Sequence, residues 1–84
     1  MERIGKPEVS VIIPMYNEEE NVKRTLDRVC RALNSKWSDW EVMAVDEGSS
    51  DKTKEQIKRY SKLEPKVSLA TYFPNQGPGK ALRV

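Results

Sequence analysis

Residues Val42 to Thr53 read VMAVDEGSSDKT. The apolar run Val42 to Val45 is too short for a helix and suits a buried strand, and it ends at two adjacent carboxylates, Asp46 and Glu47. Gly48 then supplies a turn, and Ser49, Ser50 and Asp51 supply a choice of helix N-caps. Beyond them Ile57, Tyr60 and Leu63 form a thin apolar seam, predicting a helix from about Thr53 to Leu63 that Pro65 stops. Strand, tight turn and helix in that order are part of a β-α-β unit, so the flanking segments decide whether the unit is completed.

They complete it. Upstream, Val9 to Ile13 reads VSVII, a β-branched run closed by Pro14 that suits a strand buried on both faces. From Asn17 the period changes: Val22, Leu26, Val29, Cys30 and Leu33 recur at helical spacing, with Lys23, Arg24, Asp27 and Arg28 on the other side. Asn17 is the expected N-cap of this helix, with Glu20 three residues on to complete a capping-box exchange, and Asn34 is expected to close it in a left-handed conformation. Downstream, Val67 to Phe73 reads as a third strand, and Pro74 to Lys80, PNQGPGK, as a loop that opens another helix at Ala81.

The order β-α-β-α-β-(α) implies an α/β fold with a three-stranded parallel sheet and right-handed crossovers, one domain over residues 1–84. Two crossovers in one direction predict the strand order 3-2-1, with both long helices on one face and the other face bare. A bare face and a free strand edge favour association, so a homodimer or higher oligomer is expected.

With 84 residues the chain buries roughly 60% of its unfolded surface, enough for one core. Its 15 Lys and Arg and 13 Asp and Glu are interleaved along the sequence and no aromatic residues alternate with the basic ones, which argues against a nucleic-acid partner. There is no histidine, and Cys30 is the only cysteine, so intrachain disulfides and His-assisted nucleophiles are excluded. Cys30 falls on the apolar side of the first helix and reads as a small buried hydrophobe. No apolar run approaches the ~20 residues of a membrane span, and the first ten residues lack the apolar stretch of a secretion signal, so a cytoplasmic setting is expected.

In parallel sheets ligands bind beyond the carboxyl ends of the strands, where PMYNE, DEGSSD and PNQGPGK all fall. Singly these are a helix cap, a turn and a glycine loop. Together they offer the Tyr16 ring for a base, the carboxylates of Asp46 and Glu47 for base and ribose donors, and Lys80 beside a glycine loop for phosphates. That set describes a mononucleotide. It is not a P-loop, since Gly77-Pro78-Gly79-Lys80 lacks the upstream glycine and the following Ser or Thr.

Three stretches, VSVIIPMYNEEENV from Val9 to Val22, WEVMAVDEGSSDKT from Trp40 to Thr53 and NQGPGKALR from Asn75 to Arg83, resemble the family 2, GT-A fold glycosyltransferases. Within that family the resemblance is to the dolichol-phosphate mannose synthase-like and polyprenyl-phosphate hexose transferases, and it spans nearly the whole chain. It implies a truncated GT-A fold in which Pro14, Tyr16 and Glu18 line the nucleotide pocket and Asp46 and Glu47 contact base and ribose. The family usually has aspartate where this chain has Glu47, one methylene longer.

The resemblance further implies a nucleoside-diphosphate sugar of the GDP-mannose or UDP-glucose type as partner, and Mg or Mn on an Asp-x-Asp motif in the full enzyme. This sequence contains no Asp-x-Asp, so the chain alone is expected to hold no metal, to have no catalytic residue and to be inactive. A parent enzyme would work at the cytoplasmic face of a membrane. Two other readings stay open: a stand-alone nucleotide-binding or regulatory module, and a flavodoxin-like or receiver-like domain. The last fits less well, because such domains carry an acidic pair after the first strand, where this chain has Pro14, Met15 and Tyr16.

Overall fold

The structure is a computed structural model that describes residues 7–71. Strand β1 (Val9–Met15), helix α1 (Val22–Asn34), strand β2 (Trp40–Asp46), helix α2 (Thr53–Leu63) and strand β3 (Val67–Thr71) follow one another along the chain. All strand pairs are parallel and the sheet runs β1-β2-β3, the 3-2-1 order expected from two successive crossovers. Phe73, the loop 74–80 with Lys80 and the helix expected from Ala81 lie outside the described residues.

Both helices cover the same face. Alternate residues of the central strand, Trp40, Val42 and Ala44, are buried beneath Leu26 and Leu33 of α1 and Ile57 of α2 in one apolar cluster. Leu26 and Ile57 are fully buried, each worth about 1.5–3 kcal/mol of apolar transfer. Polar contacts tie the layer together at its margins. The Trp40 indole N–H donates to Asn34 Oδ1 at 3.1 Å, and Tyr60 Oη of α2 donates to Asp27 Oδ1 of α1 at 2.7 Å. Burial, with the hydrogen bond to the Asp27 carboxylate, pushes the Tyr60 phenol well above its ordinary range.

Four expectations are corrected by the fold. β1 is not buried on both faces: Val9, Val11 and Ile13 are half-buried against the helices while Ser10, Ile12 and Pro14 are exposed, because β1 is the sheet's edge and helices cover one side only. Pro14 does not end the strand, since an edge strand tolerates its missing N–H. The face away from the helices is open at Ile12, 56% exposed, yet Val45 and Ala70, in register side by side, are buried there at 2% and 3%. The helix caps also differ. α1 begins at Val22 after Asn21, not after Asn17, and it ends through Ser35 in a right-handed conformation, so Asn34 closes nothing by a left-handed turn.

Candidate functional site

β1 and β2 end side by side, with Met15 in register with Asp46 and the Glu47 N–H donating to Met15 O at 3.0 Å. Tyr16 and Glu47 therefore leave the sheet next to each other. The Tyr16 ring is 55% exposed, whereas Asp46 is 2% exposed. Asp46 Oδ1 accepts the Ser49 N–H at 3.3 Å across a turn in which Gly48 takes φ 81°, a left-handed value that a side chain would disfavour. Glu47 is half-buried.

The loop after β1 is held to the loop after β2 by a network no sequence rule anticipates. Asn17 sits at φ 50°, in the left-handed region that asparagine tolerates better than most residues. Its N–H donates to Ser49 Oγ at 2.9 Å, and its Oδ1 accepts the Ser50 N–H at 2.9 Å. One residue on, the Glu18 N–H donates to Thr53 Oγ1 at 2.7 Å; that hydroxyl is fully buried and itself donates to Asp51 Oδ1. Asp51 Oδ2 accepts the Glu19 N–H at 3.3 Å, and Glu19 Oε1 accepts the Lys52 N–H at 3.2 Å. Asn17, expected to cap α1, instead clamps the two strand-end loops.

For Asp51, burial opposes ionisation, but the hydrogen bonds from the Thr53 hydroxyl, the Thr53 N–H and the Glu19 N–H outweigh it and hold the carboxyl below its ordinary range. A carboxyl whose folded pKa lies below the unfolded value stabilises the fold fully above about pH 4, and that contribution disappears as pH falls through the folded value. Thermal unfolding of the parent is expected to weaken more steeply below about pH 4 than that of Asp51→Asn. Parallel acid profiles for the two proteins would disprove the assignment.

Of the residues singled out in the sequence, the fold brings Pro14, Tyr16, Asp46 and Glu47 together at the carboxyl ends of two adjacent strands, Tyr16 and Glu47 just beyond them. Glu18 is taken up by the loop, its Oε1 accepting from Asn21 Nδ2 at 3.2 Å. With Glu19, Glu20 and Asp51 it lines a hollow of about 220 Å³, an acidic surface that repels phosphate. Asn17, Ser49 and Thr53 were not singled out as site residues, because each works on a partner more than thirty residues away in sequence.

The sequence pattern of glycosyl transferase family 2 matches residues 10–83. The chain belongs to glycosyl transferase family 2. A dolichyl-phosphate beta-glucosyltransferase of Trichomonas vaginalis is 36% identical over 80 residues, 89% of this chain and 25% of that protein. An undecaprenyl-phosphate 4-deoxy-4-formamido-L-arabinose transferase of Proteus mirabilis is 36% identical over 69 residues, 82% of this chain and 21% of the relative. The chain thus spans a quarter or less of the length of these curated relatives. Among solved structures, a mannosyltransferase of Pyrobaculum calidifontis in complex with GDP-Man and Mn2+ superposes with a TM-score of 0.64 at 28% identity, covering 90% of this chain and 22% of that one.

This family 2 chain thus has the three parallel strands of a GT-A glycosyltransferase, with homologues that transfer sugars to polyprenyl phosphates. Among the described residues no three histidine, cysteine, aspartate or glutamate side chains gather into a group that could hold a metal ion. No helix among the described residues is long and apolar enough to cross a membrane.

Proposed function

We propose that this chain is the donor-nucleotide part of a glycosyltransferase that moves a hexose from a nucleoside-diphosphate sugar to a polyprenyl phosphate, and that alone it binds nucleotide without turnover. What carries the reading is the meeting of Tyr16, Asp46 and Glu47 at the ends of adjacent strands in a family 2 chain. The exposed Tyr16 ring stacks on the base. The carboxylates of Asp46 and Glu47 accept hydrogen bonds from base and ribose, Pro14 and Glu18 border the pocket, and Lys80 reaches the phosphates. The cross-loop hydrogen bonds hold the β1 and β2 loops in place before the nucleotide arrives, so little ordering entropy opposes binding. In a full-length parent a divalent cation would neutralise the diphosphate leaving group.

Calorimetric titration with guanosine and uridine diphosphates tests the reading and identifies the base. A stacked base contributes on the order of 1–3 kcal/mol, so Tyr16→Ala is expected to weaken binding about tenfold or more. The fold should persist, because the ring is already more than half exposed. Unchanged affinity in a folded Tyr16→Ala protein would remove the ring from the site.

A further inference from the structure

Positive and negative charges alternate along this sequence but separate over the folded surface. α1 carries four cations against one acid, Asp27, and α2 four cations against one acid, Glu55. The two helices thus hold eight of the chain's 15 Lys and Arg and two of its 13 Asp and Glu. The fold turns this composition into a surface. At about 100° per residue, Arg24, Arg28 and Arg31 stand opposite the buried Val22, Leu26 and Leu33, and all three are exposed. On α2, Lys54, Lys58 and Lys62 recur every fourth residue on the exposed side, away from the buried Thr53 and Ile57.

Little on this face neutralises them. Asp27 is already engaged by Lys23 Nζ at 2.7 Å and by the Tyr60 hydroxyl, and among the described residues none of the six named cations is in an ion pair. Between the helices lies a hollow of about 450 Å³ bordered by the cations Lys23 and Arg59, the acids Asp27 and Glu64, and Tyr60 and Leu63, and Leu63 is 82% exposed. The hollow itself is balanced in charge, and the excess of cations lies on the outer sides of the two helices, with the exposed Leu63 next to Lys62 in sequence.

We propose that the outer face of the α1–α2 layer docks the chain on an anionic phospholipid surface. A broad helical face with spread cations and an exposed leucine matches headgroups above an acyl boundary. A single-stranded nucleic acid would call for exposed rings to stack on, whereas the exposed described rings, Tyr16 and Trp37, belong to neither helix, and Tyr60 of α2 is half-buried with its hydroxyl held by Asp27. The choice of a lipid partner rests on the proposed polyprenyl-phosphate acceptor, an apolar chain that resides in a bilayer. Docking would hold the chain beside the bilayer in which that acceptor lies.

Cosedimentation of the full chain with phosphatidylcholine vesicles, with and without phosphatidylglycerol, tests the proposal. Binding is expected only to the anionic vesicles and should fall as the Debye length shrinks from ~30 Å at 0.01 M salt to ~8 Å at 0.15 M. One cation at such a surface is worth about fivefold in partitioning, so Arg24→Gln/Arg28→Gln/Arg31→Gln should lose about a hundredfold. Lys54→Gln/Lys58→Gln/Lys62→Gln should lose about as much. Both variants should keep the parent's circular dichroism and its titration with guanosine diphosphate, whereas Asp46→Asn should bind vesicles as the parent does. If the parent binds no nucleotide but still binds anionic vesicles, the nucleotide reading fails and the docking face stands. The proposal is overturned if the parent ignores phosphatidylglycerol, if both triple variants bind vesicles as the parent does, or if a DNA duplex binds as tightly as the anionic vesicles.

Discussion

Asp46→Asn is expected to abolish detectable binding of guanosine and uridine diphosphates while the chain remains folded. The carboxylate is 2% exposed at the end of the central strand, and its Oδ1 accepts the Ser49 N–H across the Gly48 turn. If closing that turn were its whole purpose, an asparagine would serve as well, since its amide oxygen accepts the same N–H and it relieves repulsion with Glu47. What asparagine cannot supply is a full negative charge toward base or ribose donors. A charge-assisted hydrogen bond is worth roughly 1.5–3 kcal/mol, so losing one or two weakens binding about a hundredfold. Glu47→Asp, which restores the residue usual in the family, should keep or improve affinity. Calorimetry and thermal unfolding on the same samples separate the two roles. An Asp46→Asn protein that melts like the parent and binds both diphosphates equally well would leave the stretch as a turn only.

The second large effect is expected at Thr53, where the hydroxyl rather than the shape of the side chain matters. Thr53 is fully buried at the start of α2, accepts the Glu18 N–H at 2.7 Å and donates to Asp51. Thr53→Val keeps the branched shape but orphans the part-buried Glu18 N–H, at a cost of about 1–3 kcal/mol. In a domain of this size that lowers the unfolding midpoint by about 10 °C. Because the same bond anchors the loop that presents Tyr16, nucleotide affinity should fall with it. Thr53→Ser restores the hydroxyl and should recover most of both losses. A valine variant that melts within a degree or two of the parent would show that the loop is held by its other bonds.

The elements themselves were legible in the sequence. The seam Ile57, Tyr60 and Leu63, with Pro65 beyond it, marked α2 as Thr53 to Leu63, the bounds observed. The apolar runs marked the strands, and alternation of strands with helices implied parallel pairing in the order found. The strand-end position of Tyr16, Asp46 and Glu47 was readable for the same reason, since it follows from where each apolar run stops.

What failed to show were the side-chain partners far apart in the chain and the burial that follows from a strand's place in the sheet. Asn17 three residues before Glu20 satisfies the local rule for a helix cap, yet its side chain serves Ser50. Thr53 looked like any residue opening a helix until Glu18 was folded against it. The burial of β1 was overread because an apolar run does not tell whether a strand lies in the middle of a sheet or at its edge. Charge shows the contrast most plainly: cations interleaved with acids along the sequence become one basic face, because the helical repeat and the packing of α1 beside α2 choose which residues share a surface. Periodicity is a local property that a sequence carries by itself, whereas hydrogen-bond partners and surface neighbours are set by register and by which face is buried, and only the packed structure decides those.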